Sequence, residues 1–498
     1  MAKQPFPLTA GLIGLCLALL TLGTAIVVMW HGNGLRLAAA DAAALHFTLL
    51  QAALSALLAV GLAVPLARAL ARRRFVGRGA LITLLGAPFL LPVIVAVLGL
   101  LAVFGRAGWV NDVLALAGLP PLSIYGLQGV VIAHVFLNLP LATRMILQGW
   151  QSIPAERLRL AATLDLPPIA VFRHLEWPML RNVLPGAFVT ILAICLTSFA
   201  TALTLGGGPR ATTVELAIYQ ALRFEFDLGH AAGLATLQFM ISAIAAAAAW
   251  SLAPAMAFGA GLDRGYQLAP SGWRQWGDGL VILLATAFLA LPMLAILLRG
   301  MAGWADLPNA VWPAAARSLA IAVPSALLAT TAALGLALAV ARGGPRWLDL
   351  AAVLPLATSS LVLGTGLFLL VQPLVPVATL ALPVTLLVNA ALSLPFVYRL
   401  LLPDAQALHR DFHRLTAALA IPSSTALAII TLPRLARPLG FGMGVAAALS
   451  LGDLGVIALF AGEAQATLPL VIHRLMGAYQ MQAAAAAALL LVGIGFAL

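Results

Sequence analysis

Apolar stretches of about 20 residues or more recur along the whole chain and restrict what it can fold into. Each is long enough to cross the hydrocarbon core of a bilayer as one α-helix. With 63% hydrophobic and only 9% charged residues, this chain of 498 residues has too little polar surface to fold in water. We predict an all-α polytopic membrane protein with about twelve spans, at residues 8–30, 46–69, 80–104, 126–149, 179–205, 228–252, 276–299, 312–341, 347–371, 374–401, 437–461 and 478–498.

Basic residues predict the orientation, because lysine and arginine concentrate in cytoplasmic loops. About three quarters of the 27 lysines and arginines fall on the side of the predicted bundle that holds the N-terminus. We therefore expect a cytoplasmic N-terminus. The first apolar run, 8–30, is too long for the apolar core of a signal peptide, so we expect it to be retained as the first span.

The chain contains two copies of one pattern. Pro167 and Pro422 lie 255 positions apart (422 − 167). The same offset matches Leu139, Pro140, Arg144, Arg159, Leu160, Ala162, Leu164, Pro178, Gly207 and Thr212 with Leu394, Pro395, Arg399, Arg414, Leu415, Ala417, Leu419, Pro433, Gly462 and Thr467. We predict a first repeat over residues 1–265 and a second over 266–498, each with about six spans. An even number of spans makes the repeats parallel, so we expect one chain to supply a whole pathway between them.

A polar segment of helical character follows the fourth span in each copy, at 155–173 and 406–430. In the first copy Pro167 and Pro168 break the segment near its middle, which predicts a short helix, a turn and a second short helix. A single segment of this kind would be an ordinary interfacial loop. Its recurrence at the same place in both copies favours two equivalent contact sites for a partner.

The residues also argue against several classes of function. Lys3 is the only lysine, and a P-loop needs a lysine after its glycine-rich turn, so the chain cannot bind ATP in that manner. The formal net charge of +11 comes from basic residues scattered between apolar runs, so we expect no nucleic-acid partner. Cys16 and Cys195 lie inside apolar runs, and no metal-ligand or catalytic cluster is legible. We expect no bound metal or cofactor and no enzymatic activity.

The polar segments resemble the EAA loop of binding-protein-dependent ATP-binding-cassette (ABC) permeases. The alanine pair Ala161 and Ala162, followed by Trp177 and Pro178, carries the resemblance. In that family the loop docks on the ATPase subunit. The resemblance therefore implies two ATPase-coupling loops, formed by Arg157, Arg159, Ala161, Ala162, Asp165 and Pro178 and by Arg414, Ala417, Ala420 and Pro433. Asp165 and Ala420 replace the glycine usual in the family, so we expect a strained or reshaped turn.

Further stretches are similar to the inner-membrane permease of the bacterial thiamine and thiamine pyrophosphate importer. They are 125–129 (YGLQG), 133–140 (AHVFLNLP), 198–201 (SFAT), 205–209 (LGGGP), 211–220 (ATTVELAIYQ) and 452–456 (GDLGV). The resemblance implies a bacterial inner-membrane permease with two six-helix repeats. It also implies two partners, a dimer of ATPase subunits that uses ATP and magnesium, and a periplasmic thiamine-binding protein.

Several residues are candidates for the pathway itself. Consecutive glycines at Gly206, Gly207 and Gly208, followed by Pro209, predict a periplasmic loop that no helix would hold. The segment 213–222 is too short to span, and we expect it at the outer interface. His134 and Asn138 share a helix face, which favours hydrogen bonds between helices over substrate contact.

Asp453 lies well inside an apolar run, where a carboxylate facing lipid would cost about 2.5 to 3.5 kcal/mol. We expect it to face the bundle interior, either on the substrate path or as the cap of a broken helix. With Ser198, Phe199 and Thr201 it forms the predicted substrate path, which suits an organic cation such as the thiazolium of thiamine.

Two alternatives stay open. Ferric iron permeases are related tandem fusions, although a bare ferric ion should demand several oxygen ligands from different helices. A twelve-helix secondary transporter would also have two parallel halves, although it would not need the duplicated polar segments.

Overall fold

The structure, a computed structural model, describes residues 8–32, 38–85, 91–208, 211–252, 274–462 and 464–498. Within these ranges the chain forms helices and connecting turns, without a strand. Ten helical stretches of the described residues are long and apolar enough to cross a membrane. Of the two other predicted spans, one forms a bent pair of helices and one is the 17-residue apolar helix Met481–Ala497. The predicted all-α polytopic architecture is confirmed.

The helices fall into two series. The first series is α1 (Leu8–Ala18), α2 (Thr24–His31), α3 (Ala39–Arg72), α4 (Arg78–Leu84), α5 (Val93–Phe104), α6 (Trp109–Leu116), α7 (Leu127–Gln151), α8 (Ala155–Thr163), α9 (Pro168–Val171), α10 (Trp177–Leu196), α11 (Ala200–Leu205), α12 (Val214–Gln220) and α13 (Leu228–Leu252). A short π-helical turn, Leu19–Gly23, joins α1 and α2 into one span.

The second series is α14 (Arg274–Ala302), α15 (Val311–Ala341), α16 (Arg346–Val353), α17 (Ser360–Val371), α18 (Ala381–Ala418), α19 (Ser423–Ala426), α20 (Leu432–Leu451), α21 (Gly455–Phe460), α22 (Leu468–Gly477) and α23 (Met481–Ala497). The predicted boundary between the repeats, at 265/266, lies outside the described residues.

Corresponding helices pack alike in the two series. α3 packs along α7 and α10, and α15 packs along α18 and α20. The buried faces of α3 and α15 carry the same small residues, Ala52, Ala56, Ala59, Ala63 and Ala67 in one and Ala322, Ala326, Ala329, Ala333 and Ala337 in the other. Small side chains let helices approach closely in lipid, where the hydrophobic effect does not drive them together.

Side-chain hydrogen bonds repeat in the same way. The Val214 amide, the first of α12, donates to Thr48 Oγ1 at 2.9 Å. The Leu468 amide, the first of α22, donates to Ser318 Oγ at 2.8 Å. The first amides of a helix have no partner inside it, so each short helix is tied to the second span of its own series.

Some predicted spans are not straight. The span predicted at 347–371 bends by 94° between the helical stretches Arg346–Ala357 and Ser360–Val371. The fifth span of each series breaks, at residues 197–199 and 452–454. Conversely, α18 continues without interruption from the membrane into the polar segment predicted from residue 406. Hydropathy alone does not reveal the breaks in the fifth spans, because each covers only three residues within a long apolar run.

The first span of each series packs on the other series. α2 contacts α17, and α14 contacts α5. A Cβ on Gly99 of α5 would lie 2.7 Å from the Pro292 carbonyl oxygen of α14, and a Cβ on Gly366 of α17 would lie 2.6 Å from Thr24 Cβ of α2. Both crossings therefore depend on a glycine, and they link the two series twice by the same kind of contact.

The apolar cores show where the two series meet. One core draws on both series, with Val214 and Ile218 of α12, Leu361 and Val362 of α17, and Leu459 of α21. We call this shared core the seam. Two other cores are built around α3, α7 and α10 and around α15, α18 and α20. The first span of the opposite series packs against each of these cores, and we call these two spans the exchanged first spans.

The seam lies at one end of the long helices. Along α15, Val311, Ala314, Ala315 and Ala322 belong to the seam, whereas the buried apolar residues from Ala326 to Ala339 belong to the core of the second series. The polar segments follow the opposite end of the fourth spans, beyond Ala405 of α18. The two series thus share one core on the side away from the polar segments and form separate cores toward them.

The glycine crossings give a test of this packing. Gly99→Ala and Gly366→Ala should each lower the thermal unfolding temperature of the purified protein in detergent, because overpacking costs about 1 to 3 kcal/mol. Gly61→Ala is the matched control, since its Cβ would meet nothing within 4 Å and alanine favours a helix. Unfolding temperatures for both crossing variants equal to that of the unaltered protein would contradict the close approach.

Candidate functional site

The first polar segment folds as the sequence predicts. α8 ends at a turn in which Asp165 has φ of +47°, and Pro167 and Pro168 then begin α9. Ala161 is buried and Ala162 half-buried, so the small face of α8 is turned toward the protein. Arg157 and Arg159 are exposed.

The second polar segment reaches the same turn by a different route. α18 runs to Ala418, and Ala420 then adopts φ of +47° before Pro422 and α19. A residue with a Cβ in this left-handed conformation costs about 1 to 2 kcal/mol. The turn is therefore built alike in both series, at the two positions where a glycine would remove the strain. Arg414 and Ala417 are exposed on the last turns of α18.

Each segment presents large apolar side chains to the surroundings. Leu160 and Leu164 are 59% and 60% exposed, and their counterparts Leu415 and Leu419 are 49% and 63% exposed. Pro178 and Pro433 are exposed at the second position of α10 and α20, where proline is tolerated because the first helical amides need no partner. Exposed leucines outside the spans form a surface suited to a protein partner.

The two segments are anchored differently, which the sequence did not reveal. In the first series buried Glu176 pairs with Arg72 and, at 2.9 Å, with Arg68 of α3. In the second series the Arg434 guanidinium lies 4.2 Å from the ring centroid of Phe412. No spacing in the sequence brings Glu176 to α3, because the contact spans about a hundred residues.

A buried polar cluster surrounds the break in the fifth span of the first series. His134 Nε2 lies 2.9 Å from Thr201 Oγ1, and Thr201 also contacts Ser198. His134 Nδ1 lies 3.3 Å from Ser55 Oγ of α3. The predicted path residues Ser198 and Thr201 are thus close together, and the interhelical hydrogen bonding expected of His134 is present. Phe199, between them in sequence, is 4% exposed.

The corresponding break in the second series carries Asp453. Its Oδ1 accepts a hydrogen bond from the Gly455 amide at 3.2 Å, so Asp453 caps α21. Its Oδ2 has no hydrogen-bond partner among the described residues. Ser450, near the end of α20 just before the break, has its Oγ 3.0 Å from Asn389 Nδ2 of α18. Asp453 corresponds to Ser198 of the first series, because the two positions differ by the offset between the copies, 255 residues (453 − 198).

The glycine loop follows α11. Gly207 and Gly208 have φ of +74° and +134°, and a Cβ on Gly207 would lie 3.0 Å from Tyr125 Cβ. The Leu205 carbonyl accepts a hydrogen bond from the Gly126 amide at 2.8 Å, which ties the loop to the start of α7. Gly206 ends α11, and Pro209 lies outside the described residues.

The position of segment 213–222 differs from the one expected, and the segment contains a buried residue that the sequence analysis did not select. It forms α12, whose Val214 and Ile218 are 0% exposed in the seam, so the segment lies inside the protein and not at the outer interface. Glu215 of the same helix is also 0% exposed. A carboxylate between Val214 and Leu216 was the available signal, since ionisable residues amid apolar ones are seldom without function.

Curated relatives match the chain over nearly its whole length. The thiamine transport system permease protein ThiP of Brucella abortus (strain 2308) is 38% identical over 467 residues, which cover 89% of this chain and 84% of the relative. The proteins of the same name from Salmonella typhimurium and Escherichia coli (strain K12) are each 37% identical, over 91% of this chain and 87% of the relative. This chain belongs to the family of thiamine transport system permeases.

The family relationship confirms the resemblance seen in the sequence, and it extends across both series of helices of the permease. A more distant relative, the sulfate transport system permease protein CysW of a Synechocystis strain, is 27% identical over 177 residues, or 35% of this chain. No family model matches the chain. The permease is thus a multi-pass membrane protein related to transport subunits over most of its length.

Proposed function

We propose that this chain is the permease subunit of an ATP-driven importer that takes up thiamine and its phosphates with a periplasmic binding protein. The observation that carries the proposal is the relationship to thiamine permeases over about nine tenths of the chain. The relatives are named permeases, so the chain is a transport subunit without an enzymatic role of its own. Its membrane is the bacterial inner membrane, with the N-terminus in the cytoplasm.

The partner that hydrolyses ATP is a dimer of ATPase subunits, one on each polar segment. Three features support this assignment: the strained turns at Asp165 and Ala420 have the same φ, Leu164 and Leu419 are exposed to the same degree, and both segments lie on the side away from the seam. A twofold partner needs two equivalent surfaces, and these segments supply them.

The two series then act as two halves of one gate. Apart from the exchanged first spans, the described residues of the two series share a core at the seam, so the seam closes the path on the side away from the ATPase. Alternating access requires that the seam part on the outer side to admit substrate, and that it close before substrate leaves toward the cytoplasm. The exchanged first spans keep the halves together while the seam opens, because each lies on the other half.

Measurements of thiamine uptake test the proposed substrate. A deletion strain that lacks its own thiamine permease and carries this chain with its ATPase and binding protein should accumulate radiolabelled thiamine, and the phosphate analogue vanadate should block this uptake. Restored ferric iron uptake with thiamine uptake at background would overturn the assignment. Uptake that persists after ATP depletion but stops when the proton gradient collapses would indicate a secondary transporter instead.

The docking surface is tested with exposed leucines. Leu164→Glu and Leu419→Glu should each reduce substrate-stimulated ATP hydrolysis about 30-fold or more, since an unpaired charge at the centre of an interface costs about 2 kcal/mol or more. Both side chains are about 60% exposed, so the permease itself should stay folded.

Leu116→Glu in α6 is the matched control for these variants. This leucine is 90% exposed but lies apart from both polar segments. Its ATP hydrolysis should equal that of the unaltered complex. Unchanged stimulation in both loop variants would exclude these segments as the ATPase contacts.

A further inference from the structure

Glu215 lies at the seam in a place where both series contribute polar groups. Neither carboxyl oxygen makes a hydrogen bond of ordinary geometry to a residue in the described part of the chain. The Ser359 hydroxyl at the start of α17 and the Gln238 amide of α13 lie beside the carboxyl group. The group therefore sits between the two halves, and no charged partner for it is found among the described residues.

The neighbouring groups leave oxygens on both halves without partners in the described part of the chain. Gln238 uses its Nε2 on the Leu196 carbonyl at 2.9 Å, while its Oε1 has no partner in the described ranges. Thr358 Oγ1, next to Ser359 in sequence, also lacks a partner there. Ser359 Oγ already accepts from the Val362 amide at 3.1 Å. Unsatisfied oxygens on both halves suit a ligand that brings positive charge and hydrogen-bond donors.

Opening and closing of the seam would change the charge of the Glu215 carboxyl group. Burial raises the pKa of Glu215 to about 8, and the adjacent Ser359 and Gln238 side chains oppose that rise. With the seam closed, most of the group is a neutral acid near pH 7. Exposed to water by parting of the seam, it would return to an ordinary glutamate pKa of about 4.3 and become a carboxylate. The negative charge is thus present when the path is open to the outside.

A group of aromatic rings begins one helical turn along α12 from Glu215. Tyr219 follows Glu215 by one helical turn on the same face of α12, and its ring centroid is 5.3 Å from that of Phe199 and 5.7 Å from that of Phe224. Arg223 and Arg474 lie near the Tyr219 ring. A cation on these rings would therefore need the carboxylate to offset the repulsion from the arginines.

The fold itself does not require a carboxylate at this position. Counted from the N-caps Thr213 and Thr467, the residue of α22 that corresponds to Glu215 is Pro469. Both helices attach to the second span by the same hydrogen bond, so the scaffold is built without the acid in the second series.

We propose that Glu215, with the rings of Tyr219 and Phe199, is a binding site for an organic cation on the translocation path, exposed when the seam parts and covered when it closes. The inference rests on the proposed function, and it assigns the thiazolium of thiamine as the recognised group. Glu215 would thereby replace Asp453, which caps α21, as the main carboxylate of the path.

The test compares a charged and a neutral substrate in the complete importer, reconstituted in liposomes with its binding protein. The neutral substrate is a thiamine analogue whose thiazolium nitrogen is replaced by carbon, so that the ring keeps its shape without its charge. Glu215→Gln should lower the uptake ratio of thiamine to analogue about tenfold or more relative to the unaltered importer, because it removes the charge that pairs with the cation. Glu215→Asp should keep most of the preference.

Glu225→Gln is the matched control, since this carboxylate lies close by in sequence and its side chain is 58% exposed. Its uptake ratio should be unchanged. If Glu215→Gln lowered uptake of both compounds equally, the residue would be structural and the proposal wrong, as it would be if neither uptake changed. Failure of the unaltered importer to take up thiamine would overturn the proposed function, and this inference with it.

Discussion

The seam is the contact on which the architecture depends. Helices in lipid gain little from burying apolar surface against each other, so they associate through close packing of small residues. Within each series the alanine faces of α3 and α15 supply that packing. Between the series, the glycine crossings at Gly99 and Gly366 hold the exchanged first spans, and the seam closes one side. Because the halves form separate cores elsewhere, relative motion can open the seam without unfolding either half.

Differences between matching positions show where function departs from the shared scaffold. Glu176, paired with two arginines of α3, corresponds to Thr431 in the second series (431 − 176 = 255), where Arg434 packs on Phe412 instead. The first polar segment is therefore held by buried ion pairs, whereas the second continues a membrane helix. Glu215 likewise has no acidic counterpart. Among the described residues, Glu215 is thus a buried carboxylate that one series brings to the seam and the other does not, which suits a single cation site there.

Much of the fold could be predicted from the sequence, because apolar runs and repeated prolines report local structure directly. The turns at Asp165 and Ala420 were also predictable, since they occupy a position that calls for glycine. The break at 452–454 was anticipated, since Asp453 suggested the cap of a broken helix, whereas the 94° bend before Ser360 and the break at 197–199 were not. Nor did the sequence reveal the proposed site at Glu215. Asp453 stood out within a long apolar run, whereas the burial of Glu215 depends on α13 and α17, which only the folded chain brings together.

A disulfide across the seam tests the central claim that the halves part there during transport. A Cβ on Gly452 would lie 3.4 Å from Pro92 Cβ, close to the separation of about 3.5 to 4.5 Å found in disulfides. The two residues belong to different halves, and their neighbours Leu91 and Leu454 are part of the shared core. The test uses protein in which Cys16 and Cys195 are replaced. The double variant Pro92→Cys with Gly452→Cys should transport no thiamine when oxidised and should recover transport on reduction. Each single variant should transport thiamine under both conditions. Full thiamine uptake by quantitatively cross-linked protein would contradict a path that opens at the seam.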